Sequence, residues 1–206
     1  VNSLAAETVS ERIFGMDRVS LASQYSKCSA GKMNFVPAKG IDITDGVGEL
    51  TIDADVIGSV MTFNIEQQLQ TAFPLKFGPF TDFDHILYCM PAGMDSRWIG
   101  YTYGRVSRSY YNDDWCGYFS LPFHEVGHNL GLQHSNERGV EYEDRSCMMG
   151  KSYPRSDSPQ QCFNGVKFRQ LDWFPDFTIE VQSLPWTGNI AAFVDVTKMS
   201  SAGQIP

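Results

Sequence analysis

Five residues in one short stretch have the types and spacing to do chemistry. His124, Glu125, His128, Gly131 and His134 spell His-Glu-x-x-His-x-x-Gly-x-x-His. Average residue usage makes such a match a chance event at about one in 10^5 for a chain of this length. Histidines four apart share one face of a helix, about 6 Å apart along its axis. Two imidazoles so placed can converge on zinc at about 2.0–2.1 Å each. His134 cannot join them on a continuing helix, where it would lie about 15 Å beyond His124. The helix must end first, and Gly131 is the one glycine between His128 and His134. Glycine takes the left-handed conformation that ends helices, so the chain can turn there and bring His134 back as a third ligand. Three protein ligands leave a position open to water, the arrangement of a catalytic rather than a structural zinc. Glu125 lies about 100° round the helix from His124. Beside the metal but off the ligand face, it suits a general base acting on zinc-bound water. Of the four histidines only His85 falls outside this frame, and it is expected to be a core or edge residue.

The motif is followed by Ser146-Cys147-Met148-Met149-Gly150. Together they resemble the metzincin metallopeptidases, in which a Met turn follows the zinc motif. The resemblance implies that Met149, directly before a glycine, packs beneath the zinc ligands without binding the metal. Three further segments narrow it: Cys28 to Ala38 (CSAGKMNFVPA), Tyr88 to Gly93 (YCMPAG) and Cys162 to Trp173 (CFNGVKFRQLDW). These are similar to the gametolysin family of secreted metalloendopeptidases, peptidase M11. The family's type member has Gln where this chain has His124, so the full three-histidine set is a feature of this chain. The implied fold is α+β, a metzincin-like two-lobed zincin with a mixed twisted sheet, an active-site helix and a Met turn. A single catalytic domain would span 1–206, its upper lobe to about 131 and its lower lobe from about 132. In some metzincins a tyrosine near the Met turn hydrogen-bonds the tetrahedral intermediate. Tyr153 is the candidate here, four residues beyond Met149 rather than the usual two.

Composition bounds the rest. The chain has 206 residues, a length that suits one domain, and a formal net charge of −8. That acidity argues against a nucleic-acid partner. No run of 18 apolar residues exists, so no membrane span is expected. Val1 to Leu4 carry neither a basic n-region nor an apolar h-region, so no signal peptide is read there; one could have been removed, as could a pro-segment. Five cysteines, at 28, 89, 116, 147 and 162, include no Cys-x-x-Cys, which disfavours a structural zinc site. For a secreted relative the natural reading is two disulfides and one leftover thiol. Cys147–Cys162 would close a short loop around the Met turn. Alternatively Cys28, Cys89, Cys116 and Cys162 pair among themselves and leave Cys147 over. Cys28 could in principle occupy the open zinc position, although it stands in a segment like the mature domain.

The elements that must position the motif follow from periodicity. A helix is expected over 11–28, stopped by Gly31, and another over Val60 to Phe73, ended by Pro74. Met33 to Val36, Glu49 to Ala54, Phe83 to Met90 and Trp98 to Gly104 read as strands. The resemblance would make the last of these the edge strand that pairs with an extended substrate. Tyr110 to Trp115 reads as a polar-aromatic connection, in which Asp113 and Asp114 could bind calcium, although a solvated loop is the simpler account. The active helix is expected over Leu121 to Leu130, with Ser120 as N-cap and Pro122 in its first turn. The stretch 136–146 is polar and acidic; Glu141, Glu143 and Asp144 are the nearby carboxylates that could replace His134 as third ligand, a thermolysin-like reading rejected for lack of that family's helical context. A short helix over Asn164 to Leu171, strands at Phe177 to Gln182 and Ile190 to Val196, and a tail from Ser200 to Pro206 complete the chain.

The expected function is a secreted zinc endopeptidase. It would hydrolyse extracellular, matrix or cell-wall proteins through Glu125, with zinc on His124, His128 and His134. The expected partner is a protein or peptide substrate, and a monomer is the default state. The main alternative is a zinc-containing binding or adhesion module without turnover, against which Glu125 speaks, since metal binding alone does not need it. A deacetylase is a further rival that a substrate panel would decide.

Overall fold

The computed structural model describes residues 4–16, 19–151, 155 and 161–188. The chain divides into two compact units, Val1–Asn164 and Gly165–Pro206. Among the described residues, the first holds helices α1 (Ala6–Phe14), α2 (Leu21–Cys28), α3 (Phe63–Phe77) and α4 (Ser120–Asn129) and strands β1 (Ile86–Cys89), β2 (Gly100–Thr102) and β3 (Arg108–Tyr111). The second holds α5 (Gly165–Gln170). The class is α+β with a small mixed sheet, as expected.

The sheet runs β1-β3-β2, with β1 parallel and β2 antiparallel to β3. Its central strand is the one periodicity misses: Tyr110 and Tyr111 end β3 rather than belonging to a connection. Both rings are buried. Tyr110 joins Ile65, Leu69 and Phe73 of α3 in the main core, while Tyr111 packs with Cys116 and Leu121 on the α4 side. A strand covered on both faces shows no polar–apolar alternation. The converse error occurs at Glu49 to Ala54. Leu50, Ile52 and Ala54 pack against the core, but no strand forms there or at Met33 to Val36. Alternation reports which side chains face the core, and a strand needs a hydrogen-bonding neighbour as well.

β2 is an edge. The Asn112 N–H donates to the Ile99 carbonyl at 2.9 Å, whereas the Tyr111 carbonyl accepts from the Met90 N–H on the β1 side at 2.8 Å. Alternation along the antiparallel register therefore turns the N–H and C=O groups of Gly100 and Thr102 away from β3. The edge is held from both sides. The Tyr103 hydroxyl donates to the buried Glu66 carboxylate of α3 at 3.0 Å, as does that of Tyr101. Asn129 of α4 donates to Thr102 Oγ1 at 2.6 Å.

The helix expected over 11–28 is two helices. The first ends at Gly15, and Ser20 starts α2 through a reciprocal capping box with Ser23. α3 does not stop at Pro74 but continues to Phe77. The Phe77 ring packs 5.2 Å from that of Phe73, and this apolar contact offsets the hydrogen bond that proline withholds. In α4 the N-cap position falls to Phe119, without a side-chain cap, and Ser120 is the first helical residue. Residues Ser120 to Gly127 of α4 are all buried. On one side Tyr25 of α2 stacks on Phe123 at 4.1 Å and donates its hydroxyl to the Phe123 carbonyl at 2.8 Å.

Two disulfides brace this arrangement. Cys28–Cys162 ties the end of α2 to the segment beyond Met149, and Cys89–Cys116 ties β1 to the turn ahead of α4. Cys147 is buried outside both. The Cys147–Cys162 pairing is thereby excluded, and Cys28 is committed to Cys162 rather than to a metal.

In the second unit, Phe168 of α5 packs against Trp173 and Phe174, with ring centroids at 5.9 and 5.2 Å. The strand expected at Phe177 to Gln182 does not form. Pro175 opens a 3-10 turn through Phe177, and among the described residues no ladder partner joins those that follow. The expected strand at 190–196 and the tail at 200–206 lie outside the described residues.

Candidate metal centre and active site

α4 carries His124 and His128 one turn apart. Its end is a Schellman turn: the Gly131 N–H donates to the His128 carbonyl at 2.9 Å and the Leu132 N–H to the Gly127 carbonyl at 3.0 Å. Gly131 adopts φ 92°, in the left-handed region. The turn reverses the chain as its spacing predicts and brings His134 to the other two histidines. The three offer ligand nitrogens that all lie within 4.8 Å of one another, the one such cluster of three or more among the described residues.

Each imidazole is fixed through its other nitrogen. His124 Nδ1 lies 2.7 Å from the Met148 carbonyl and His128 Nδ1 lies 2.8 Å from the Leu132 carbonyl. His134 Nδ1 meets the Glu141 carboxylate. Carbonyl and carboxylate oxygens only accept, so each Nδ1 carries the proton and each Nε2 presents a lone pair. His128 Nε2 and His134 Nε2 face each other at 3.0 Å. Two such lone pairs repel unless a cation lies between them. Tetrahedral zinc with bonds of about 2.0–2.1 Å sets its nitrogen ligands about 3.3 Å apart. The donor set, its tautomers and its spacing therefore fit zinc. Burial holds His124 in the neutral form that a ligand must have, lowering its pKa to about 3.

Glu125 is buried beside the cluster, and desolvation raises its carboxyl pKa to about 8. Its charge reaches the hydroxyls of Tyr111 and Tyr142.

The Met148–Met149 segment lies under α4. Beyond the Met148 carbonyl on His124, the Met149 carbonyl accepts from the Ser135 N–H at 2.7 Å. A β-carbon placed on Gly127 would meet Met149 Sδ at 2.5 Å, so glycine in the zinc motif and methionine in the later turn fit each other. Gly150 is just as constrained: a β-carbon there would lie 1.8 Å from the Asp144 carbonyl oxygen.

Tyr153 lies outside the described residues. Two residues beside His134 take no part in the sequence reading as its neighbours: Glu141, weighed there only as an alternative ligand, and Tyr142. Their signal was Arg138-Gly139, a two-residue turn in which both residues have positive φ. Of the remaining candidates, Asp114 pairs with Arg155 at 3.0 Å, an ion pair rather than an open calcium ligand. His85 packs against Phe35 at 5.5 Å, away from the cluster, and burial lowers its pKa.

Metallopeptidases of the metzincin-like zincin type share this combination of α+β fold and helix-borne motif, and comparison with known families agrees. The model of the gametolysin peptidase M11 family matches residues 1–194. The chain belongs to that family, and is a metallopeptidase that hydrolyses peptide bonds. No curated protein matches it. No helix among the described residues is long and apolar enough to cross a membrane, and two disulfides fit an extracellular protein.

Proposed function

We propose that the chain is a secreted zinc endopeptidase acting on extracellular proteins, with His124, His128 and His134 as its zinc ligands and Glu125 as its general base. The observation that carries this reading is the convergence of three Nε2 atoms whose Nδ1 partners all fix the same tautomer. Zinc bound there supplies Lewis-acid polarisation of the scissile carbonyl and acidification of water. The Glu125 carboxylate takes a proton from the attacking water and delivers it to the nitrogen of the leaving amine. Its burial excludes bulk water from that transfer. Met149 forms the floor under the motif through Gly127. The outward N–H and C=O groups of Gly100 and Thr102 offer an extended substrate a strand to pair with. The substrate then lies in a cleft between an upper lobe, to about residue 131, and a lower lobe beyond it. The Tyr153 hydroxyl is a candidate to hydrogen-bond the tetrahedral intermediate.

The test is cleavage of an unfolded protein by the purified parent and by Glu125→Ala, with zinc quantified in both. Activity in the parent alone, with near-stoichiometric zinc in each, is the expected result. Zinc in both without cleavage by either would favour a binding module; equal cleavage by both would remove Glu125 from the mechanism.

A further inference from the structure

His134 differs from the other two candidate ligands in lacking a helix to hold it. What surrounds it comes from a tight reversal of the chain. Glu137 and Val140 exchange backbone hydrogen bonds at 3.2 and 2.9 Å. The two residues between them, Arg138 and Gly139, have φ 53° and 79°. A two-residue turn with both φ positive sends the chain straight back along itself, so Glu141 and Tyr142 return beside His134. The returning segment is pinned at two points: the Asp144 N–H donates to the Ser135 carbonyl at 3.3 Å, and the Lys151 N–H to the Tyr142 carbonyl at 2.7 Å. Tyr142 itself sits at φ 66°, a strained conformation for a bulky side chain that its surroundings must enforce. The outcome is that Glu141 holds His134 Nδ1 while the Tyr142 ring lies against the imidazole, with centroids 3.9 Å apart.

We propose that Glu141 and Tyr142 are positioning residues that clamp His134, the carboxylate setting its tautomer and the ring setting its plane. The clamp rests on the zinc-site reading above and adds to it the residues that make a loop-borne histidine a competent ligand. The Glu141 side chain is 62% exposed, so water competes for its hydrogen bond with the neutral His134 and the bond adds little to folding stability; its effect belongs in metal affinity.

The test has two readouts. In the metal-free protein, nitrogen-15 NMR of His134 reports the tautomer. The Nδ1–H form should dominate in the parent and in Glu141→Gln, whose amide oxygen still accepts, and should lose its dominance in Glu141→Ala. Zinc competition against a chelator reports affinity. Glu141→Ala and Tyr142→Ala should each bind about 10-fold more weakly. Tyr142→Phe, which keeps the ring, should stay within about twofold. Thermal unfolding should show all four variants folded. An unchanged tautomer together with unchanged affinity overturns the clamp. A parent that binds no zinc, but whose His134 tautomer still depends on Glu141, overturns the zinc reading and leaves the orientation of His134 standing.

Discussion

Gly127 sits directly on Met149: the space a β-carbon would need at residue 127 is filled by Met149 Sδ, 2.5 Å away. The Phe163 ring, 3.3 Å from the same point, closes the other side. Gly127→Ala should therefore overpack the site, costing about 1–3 kcal/mol and weakening zinc binding by tilting α4 against the Met148 carbonyl. Met149→Ala should cost about 2–5 kcal/mol through the cavity it leaves. In the double variant the new methyl enters the vacated space, so the two losses should be less than additive. Chemical denaturation of the four proteins measures the coupling, and strict additivity would show that the two residues do not meet.

Replacing Glu125 by Gln keeps the shape of the side chain and removes the proton acceptor. Turnover should fall about 10^2–10^4-fold with zinc content unchanged. A fall in zinc content parallel to activity would instead make Glu125 part of the metal site.

Gly131 ends α4 at φ 92°, and the same turn places the Leu132 carbonyl on His128. Any L-residue there is strained by about 1–2 kcal/mol. Gly131→Ala should lower stability by that amount and reduce zinc affinity, because His128 and His134 both depend on the turn. Stability lost with affinity intact would confine Gly131 to a structural role.

The metal-free protein should have a distinctive pH dependence. Glu125 has a raised pKa in the fold, about 8 against an ordinary 4.5. Its contribution is present in full below about 4.5 and is lost as pH rises through about 8. His124 has a lowered pKa, about 3 against 6.5. Its contribution is present above about 6.5 and is lost as pH falls towards about 3. The two slopes oppose each other between 4.5 and 6.5, giving a plateau with decline on both sides. Denaturation of the chelator-treated protein across this range checks it, and Glu125→Gln should remove the alkaline decline.

Thiol counting after denaturation without reductant should find one thiol per chain, Cys147, and none accessible in the folded protein, where it is buried. Removing Cys28–Cys162 should cost about 2–5 kcal/mol. Three or five thiols would contradict the two disulfides.

Much of the candidate site was legible in the sequence because its logic is local. His124 and His128 stand one helical turn apart, and Gly131 is the residue that a left-handed turn requires; both follow from the geometry of a single helix and its end. The α+β class was implied by the family resemblance of the motif and its flanking segments, whereas α3 was legible from its own periodicity, although a core contact at Phe77 carried it past Pro74. Other features depend on residues far apart in the chain. β3 is buried on both faces by α3 and α4, so it carries no alternation to read, and Glu49 to Ala54 alternate without a partner strand. Which four cysteines pair depends on segments meeting across sequence separations of 134 and 27. The sequence by itself determined the donor set and the turn that gathers it, since helix geometry and glycine's left-handed freedom act within a few residues. Only the tertiary structure decided what fixes each histidine's tautomer, because the Met148 carbonyl and the Glu141 carboxylate reach His124 and His134 through folding of a loop whose pattern carries no regular period.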